Sequence, residues 1–279
     1  MQLAMLLRNG MDLAWRHRVP GQLVLQMTDK CNARCPQCQM RVTERFERST
    51  LSVDEMKGII DAAAAKGIRV LSFTGGEPML MLDELTELIQ HAGRAGIQFI
   101  RTGTNGYLFK NPQAPGWEDR VKWVAERLAA TPLRNFWISI DSAVPAVHER
   151  MRGFPGLIAG IERALPIFHS FGLFPSANLG LNRNVGGDAT WNVFEDQFEG
   201  EDVYLEAFYY AVRRALGDFY RQVREMGFTM ANTCYPMSIE GAEQMRGLNA
   251  VYGATSSDRV IRFSDGERAM LFKALFDTV

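Results

Sequence analysis

The sequence predicts an α/β fold, a partial (β/α)6 barrel with parallel strands that resembles an incomplete TIM barrel. Short apolar runs alternate with helical stretches six times along the chain, an alternation typical of parallel strands joined by helical crossovers. Such units form either an open doubly wound sheet or a barrel. Six units, with no glycine-rich dinucleotide fingerprint after the first strand, favour the partial barrel.

The strands are the short apolar runs, each followed by polar or turn-forming residues. The first run, GQLVLQMT, leads directly into a cysteine-containing loop. In order, the six predicted strands cover residues 21–28, 70–74, 97–103, 135–140, 173–181 and 228–233.

The helices are defined by their capping residues as well as by periodicity. In the first helix, Ser52 is placed to cap the amino terminus, Glu55 completes a capping box and Gly67 acts as a stop. The predicted helices between strands cover residues 52–66, 82–95, 117–130, 144–152, 157–170 and 202–226.

The chain divides into three segments around this barrel. Residues 1–20 form an amphipathic helix that either packs on the core or contacts a membrane surface or partner. Residues 21–235 are the barrel, and residues 236–279 are a C-terminal helical segment. The last residues, Phe272–Val279, read as an apolar helix without a cap or stop signal. That ending fits either a fragment of a longer protein with a C-terminal extension or a core-only protein.

Composition and charge restrict the possible partners. The chain has 279 residues, 47% of them apolar and 23% charged, and its formal net charge is -1. Since the basic residues are dispersed, nothing indicates nucleic-acid binding. No apolar stretch approaches the roughly 20 residues of a membrane span, and the N-terminus lacks the pattern of a signal peptide. We therefore expect a cytoplasmic protein.

Three of the four cysteines form the strongest motif in the chain. Cys31, Cys35 and Cys38 lie within eight residues, whereas Cys234 is distant. A disulfide between two of the three would leave the third unpaired, so this is not a disulfide framework. Three clustered thiolates can bind three irons of a [4Fe–4S] cluster and leave the fourth iron open. A zinc site, which needs four ligands when structural, and inert thiols are the alternatives.

Polar residues follow every predicted strand, at the edge where parallel strands carry their active sites. We expect them to converge on one site. Two of these positions have a competing structural explanation: Asn105 can simply form an Asn-Gly turn, and Asp141, or its neighbour Ser142, can cap the next helix. The strand-end residues are Gly75, Gly76, Glu77, Pro78, Asn105, Ser139, Asp141, Asn178 and Asn182.

Three further side chains receive a structural interpretation from the sequence. Cys234, at the end of the sixth strand, is interpreted as a buried and unreactive cysteine. His148 and Arg152 lie one turn apart on the helix after the fourth strand, and we interpret them as a solvated helix face.

The motifs together resemble the radical S-adenosylmethionine (SAM) superfamily. The CxxxCxxC loop at Cys31–Cys38 is similar to the superfamily signature, and Gly75–Pro78 to its GGEP motif. Thr104–Gly106 and Ser139–Ser142 resemble the TNG and SxDS motifs of the branch that includes the molybdopterin cyclase and peptide-modifying enzymes. One position departs from the pattern, because Gln37 stands where the family usually has an aromatic residue close to the adenine.

The resemblance implies an enzyme that cleaves SAM reductively at a [4Fe–4S] cluster and abstracts hydrogen from a small-molecule or peptide substrate. It implies Cys31, Cys35 and Cys38 as cluster ligands and Glu77 as a partner of the SAM ammonium group. Gly75 and Gly76 would let the backbone approach the methionine moiety closely. A reductant such as flavodoxin or ferredoxin would supply the electron. An iron–sulfur electron carrier or redox sensor without SAM chemistry is the second hypothesis.

The resemblance also implies a set of SAM contacts around the cluster. Ser139 and Asp141 would face the ribose or the substrate, and Asn178 and Asn182 would reach the adenosyl group or line a polar lumen. The residues expected to bind the cofactor are Gln37, Gly75, Gly76, Glu77, Pro78, Asn105, Ser139, Asp141 and Asn178.

Overall fold

The computed structural model describes residues 21–38, 49–235 and 259–279. The predicted N-terminal helix over residues 1–20, and residues 236–258 of the predicted C-terminal segment, lie outside the described residues.

The described part of the chain contains six parallel strands in one sheet, with spatial order equal to chain order. This order, with a helical connection after each of the first five strands, is that of a partial TIM-like barrel and confirms the predicted fold class. The strands are β1 Gln22–Thr28, β2 Val70–Gly75, β3 Phe99–Thr104, β4 Leu133–Ser139, β5 Ser176–Gly180 and β6 Met230–Cys234.

The helices cover the outer face of the sheet. Ser52 caps the first helix and forms the predicted capping box with Glu55. No helix in the described segments is long and apolar enough to cross a membrane. The helices are α1 Val53–Ala65, α2 Leu82–Arg94, α3 Trp117–Ala129, α4 Pro145–Arg152, α5 Leu157–Ser170, α6 Asp188–Trp191, α7 Glu201–Met226 and α8 Asp265–Phe276.

Each strand has one face toward the helices and one toward the barrel lumen, because side chains alternate along a strand. In β2, Leu71 and Phe73 are fully buried in the core between sheet and helices. In β3, Ile100 and Thr102 are likewise fully buried, which leaves Arg101 on the opposite, lumenal face. The lumen therefore receives the polar side chains of the strands.

The C-terminal helix corrects one expectation. The sequence indicated an apolar helix without a cap, but α8 has Ser264 as its N-cap and a capping box with Glu267. Glu267 also accepts two hydrogen bonds from Arg183 at 2.6 Å. Both side chains are buried, so α8 is fixed to the segment that follows β5. α8 begins seven residues before the apolar run Phe272–Val279, so the pattern of that run did not indicate the cap.

Candidate functional site

The loop with the three clustered cysteines begins where β1 ends. Thr28 forms an antiparallel bridge with Thr50, which brings the two described ends of the loop together. Cys35 is buried, whereas Cys31 and Cys38 are half-buried. The Cys38 N–H donates to the Cys35 carbonyl at 3.1 Å, and the Ala33 N–H donates to the Cys31 sulfur at 3.4 Å. These bonds fold the loop into turns around the three thiols.

The three thiols are the groups on this loop that could hold a metal centre. In the described part of the chain, no three His, Cys, Asp or Glu side chains are arranged around a single ion. A cubane cluster would take each thiolate on a separate iron. Burial raises the pKa of Cys35 to about 11 and that of Cys31 above its usual value. Any metal centre that binds here would therefore have to displace the thiol protons.

Gly75 and Gly76 join the end of β2 to the cysteine loop. The Gly76 N–H donates to the Thr28 carbonyl at 2.6 Å, and the Glu77 N–H donates to the Lys30 carbonyl at 3.0 Å. A Cβ at Gly76 would lie 2.1 Å from the Lys30 oxygen, and one at Gly75, whose φ is +132°, would lie 2.3 Å from the Thr28 oxygen. The sequence-based reason for these glycines was room for the methionine moiety. The contacts show that the β1–β2 backbone approach already requires them.

Glu77 is a buried carboxylate held by backbone donors. Its Oε1 accepts from the Met79 N–H at 3.1 Å, and its Oε2 accepts from the Asn105 N–H at 2.6 Å. Burial nevertheless raises the pKa of Glu77 to about 7, because these bonds only partly replace water. Pro78 follows as the first residue of a short 3-10 helix, Pro78–Met81, and is buried. The GGEP segment is therefore a rigid unit that carries an acid titrating close to neutrality.

Asn105 connects the TNG segment to the cysteine loop. Its Nδ2 approaches the Cys31 sulfur at 3.6 Å and donates to Asn32 Oδ1 at 2.9 Å. Its Oδ1 accepts from the Tyr107 N–H at 2.9 Å. The predicted Asn-Gly turn is thus present, and the same side chain also bonds to the loop. Spacing alone could not show this second contact, since Asn105 and Cys31 are 74 residues apart.

Ser139 and Asn178 lie side by side at the lumenal face. They are directly paired in the β4–β5 register, and Asn178 is also paired with Asn232 on β6. The Cys234 thiol donates to Asn178 Oδ1 at 3.4 Å. Cys234 is exposed, so its interpretation as a buried cysteine is wrong. The reason is that β6 is the last strand of the described sheet and lacks a neighbour on its far side.

Asp141 forms a buried ion pair with the helix that follows it. Its two carboxylate oxygens accept from Arg152 Nε and Nη2 at 2.5 and 2.6 Å. Burial alone would raise the pKa of Asp141, but the Arg152 guanidinium holds it well below its usual range. The alternative role as helix cap is wrong, since the N-cap of α4 is Val144 and receives no side-chain cap. The carboxylate is committed to Arg152 rather than open to the lumen.

His148 and Arg152 are buried, not solvated. The His148 side chain is fully buried, and only 12% of the Arg152 side chain is exposed. The Asp141 N–H lies 3.1 Å from His148 Nδ1 and donates to it. The prediction of a solvated helix face is therefore wrong, because the tertiary partner Asp141 turns that face inward. The Arg152 charge also counteracts part of the burial effect on the pKa of Cys35.

Asn182 lies beyond the end of β5 and is fully engaged in local structure. Its Nδ2 donates to the carbonyls of Asp141 and Gly180 at 2.9 and 2.8 Å, and its Oδ1 accepts from the Asn184 N–H at 2.8 Å. These bonds satisfy the side chain within the fold. Asn182 thus differs from Asn178, whose side chain faces the lumen.

Gln37 presents an unpartnered amide beside Cys38. Both its Oε1 and its Nε2 are shielded from solvent, yet neither has a hydrogen-bond partner among the described residues. Buried polar groups are normally paired, so these two atoms are a place for a bound molecule to supply the partner. Gln37 is also the one position of the cysteine loop at which the sequence lacks the expected aromatic residue.

The fold and site together define a parallel α/β partial barrel with three clustered thiols at the end of its first strand. Residues 25–188 match the family model of the Radical SAM superfamily, which is more than half of the chain. The protein belongs to the radical SAM superfamily, a family of enzymes.

Two curated relatives share the central part of the chain. The "AdoMet-dependent heme synthase" of Methanosarcina barkeri is 31% identical over 147 residues, which cover 51% of this chain and 38% of that protein. The "GTP 3',8-cyclase" of Vibrio parahaemolyticus is 32% identical over 158 residues, 54% of this chain and 43% of that protein. The matched part of this chain therefore spans about two fifths of the length of these relatives.

Solved structures show the same fold at low sequence identity. Streptococcus suis SuiB bound to S-adenosylmethionine superposes with a TM-score of 0.51 and 15% identity, covering 83% of this chain and 54% of SuiB. Methylornithine synthase (PylB) superposes with a TM-score of 0.54 and 11% identity, covering 96% of this chain and 65% of that protein. These likenesses confirm the partial barrel.

Proposed function

We propose that this protein binds a [4Fe–4S] cluster through Cys31, Cys35 and Cys38 and uses it to cleave SAM reductively. The cluster and SAM, when bound, supply a 5′-deoxyadenosyl radical that abstracts hydrogen from the substrate. The protein contributes placement and exclusion of competing reactions. The substrate class carried forward from the sequence is a small molecule or a peptide.

The observation that carries this proposal is the junction of the three motifs. The GGEP backbone bonds to Thr28 and Lys30 immediately before Cys31, and Glu77 accepts from the Asn105 N–H. Asn105 in turn approaches the Cys31 sulfur. Three strand ends are therefore locked together around the cysteine loop, as a site for one cofactor pair requires.

Several side chains have roles in this proposal toward SAM. Glu77, ionised above neutral pH, would accept from the SAM ammonium group as a charge-assisted bond. Ser139 and Asn178, adjacent in register, would contact the ribose or the adenosyl group. The unpaired Gln37 amide would bond to polar atoms of the adenine instead of stacking on it.

Asp141 has a different role in this proposal from the one the resemblance implied. Since its carboxylate is bound by Arg152, it acts as a positioning residue. It fixes α4 and places the Arg152 cation near the proposed cluster ligands Cys35 and Cys38. The charges of these cysteines interact electrostatically with the guanidinium. A reductant such as flavodoxin or ferredoxin would deliver the electron, and cytoplasmic location fits the thiol-rich site.

The test is formation of 5′-deoxyadenosine by anaerobically reconstituted protein. Protein with about four irons and four sulfides per chain is mixed with SAM and dithionite, and the product is quantified by chromatography. We expect 5′-deoxyadenosine above background, and none from the variant with all three cysteines replaced by alanine. An intact cluster without product would favour the electron carrier or redox sensor. Zinc without sulfide in the anaerobically purified protein would overturn the cluster assignment.

A further inference from the structure

Arg101 occupies an unusual position for a basic residue, on the lumenal face of a central strand. Its neighbours in β3, Ile100 and Thr102, are fully buried toward the helices. In register, Arg101 lies between Ser72 on β2 and Asn135 on β4. The guanidinium group is therefore presented to the interior of the barrel and not to the outer surface.

The neighbouring strand supports the guanidinium with an aromatic ring. The Arg101 guanidinium carbon lies 5.2 Å from the centroid of the Trp137 ring, within the range of a cation–π contact. Gly103 makes room for this ring, since a Cβ at that position would come within 2.1 Å of it. The combination of glycine and tryptophan on paired positions keeps the Arg101 side chain in place beside an aromatic surface.

No anion balances this cation in the described part of the chain. Arg101 has no ion pair there, and its Nε is shielded from solvent without a hydrogen-bond partner. Arg152 and Arg183, by contrast, each bind a carboxylate directly. Arg101 is half-buried, and the part of its guanidinium that is shielded from solvent gains no compensating partner from the described residues.

The surrounding side chains are neutral, so they do not supply the missing charge. Cys234, although exposed as a residue, lies close enough to interact with Arg101: partial desolvation raises the pKa of the thiol, and the positive charge of Arg101 opposes the increase. The polar residues on the lumenal faces of the strands carry hydroxyl or amide groups. They are Gln22, Gln26, Ser72, Thr74, Asn135, Ser139, Ser176, Asn178 and Asn232.

We propose that Arg101 binds an oxyanion of the substrate, a carboxylate or a phosphate, with Trp137 packed against the adjacent part of that molecule. A guanidinium offers a planar fork of donors that matches both groups. This inference rests on the proposed function, since it assigns the lumen to the substrate of the radical reaction. It narrows the substrate to anionic molecules with an apolar or aromatic portion.

The experiment measures binding of matched anionic and neutral probes to SAM-loaded protein without reductant. The probes are 3-phenylpropionate, phenyl phosphate and the neutral 3-phenylpropionamide, titrated anaerobically by calorimetry. The variants are R101Q, R101K and the control R134Q, whose arginine is exposed on the next strand. Circular dichroism and iron content verify that each variant folds and holds the cluster.

We expect at least one anion to bind the wild-type protein about tenfold or more tightly than the amide. We expect R101Q to bind that anion about 10- to 100-fold more weakly, as for loss of a charged hydrogen bond. The affinity of R101K should be intermediate, and that of R134Q should match wild type. The anion that binds more tightly shows whether the site prefers a carboxylate or a phosphate.

Equal binding of anion and amide, unchanged anion binding by R101Q, or no binding of any probe would overturn the assignment. Formation of 5′-deoxyadenosine by the wild-type protein is scored separately. Anion selectivity without that product would refute only the radical chemistry, and the product without anion selectivity would refute only the role of Arg101.

Discussion

At the scale of single residues, Glu77 has a structural role and is the proposed partner of the SAM ammonium group. Its two carboxylate oxygens accept backbone N–H groups, yet burial still raises its pKa to about 7. Between its unfolded value near 4.5 and about 7, the folded protein holds a proton that the unfolded chain has lost. The stability contributed by Glu77 is therefore fully present below pH 4.5 and is lost as pH rises through 7.

The variant E77Q tests, in protein without the cluster, whether Glu77 makes the folded state less stable as pH rises. Wild type should lose stability relative to E77Q between pH 5 and pH 8, by on the order of 3 kcal/mol at most, because glutamine does not ionise. Urea unfolding at several pH values measures the difference. A difference that stays constant with pH would show that Glu77 is ionised throughout.

Replacing Gln37 should affect SAM binding without lowering the stability of the fold. An unpaired buried amide costs about 1–3 kcal/mol, and an apolar side chain of similar shape removes that cost. We therefore expect Q37L to leave the melting temperature of the SAM-free protein unchanged or higher, while SAM binds about tenfold more weakly. Calorimetric titration with SAM measures the second effect, and equal affinity for SAM in Q37L would exclude the amide contact.

At the scale of secondary-structure elements, the Asp141–Arg152 pair connects the end of β4 to α4. Replacing one member leaves the other charge buried without a partner, which typically costs 3–5 kcal/mol. R152Q should therefore lower the free energy of unfolding by about this amount, as measured by urea denaturation. The matched control is K122Q on α3, whose exposed pair with Glu118 is worth about 0.5 kcal/mol. An R152Q effect no larger than the control would contradict a structural role.

The elements themselves could be predicted because their signals are local. Ser52 and Glu55 form the expected capping box, and α5 begins and ends at the predicted residues, Leu157 and Ser170. The strands shift by at most three residues at either end, since alternation and apolar runs do not mark where hydrogen bonding stops. The burial of His148 and Arg152 could not be predicted, because it depends on Asp141, which only the tertiary fold brings into contact.

The candidate site, too, could be predicted where its signals are local and not where they depend on the tertiary fold. The three clustered cysteines, the GGEP segment and the TNG segment with Asn105 are short local motifs, and the structure brings their strand ends together. Arg101 and Trp137 were missed because each belongs to a strand that otherwise reads as ordinary. The available signal was a charged residue at a lumenal position of β3, which becomes visible only once the strand faces are assigned.

At the scale of the whole molecule, Arg183 joins the barrel to the C-terminal segment. Its guanidinium donates to the carbonyls of Arg259 and Arg262 and to Glu267 of α8. The aromatic rings of Phe208 on α7 and Phe263 flank it. One buried cation thus connects the segment after β5, the chain before α8, and α8 itself.

This arrangement predicts that the C-terminal segment and the barrel unfold together. R183M leaves Glu267 without its partner in a buried site, so we expect a loss of about 3–5 kcal/mol and faster proteolysis within residues 259–279. The control R221Q removes a pair with Asp218 on the exposed face of α7 and should change stability by less than about 1 kcal/mol. Limited proteolysis with mass spectrometry locates the first cleavage. If the first cleavage of R183M fell within the barrel instead, α8 would still be held without Arg183, and the proposed coupling through this residue would be wrong.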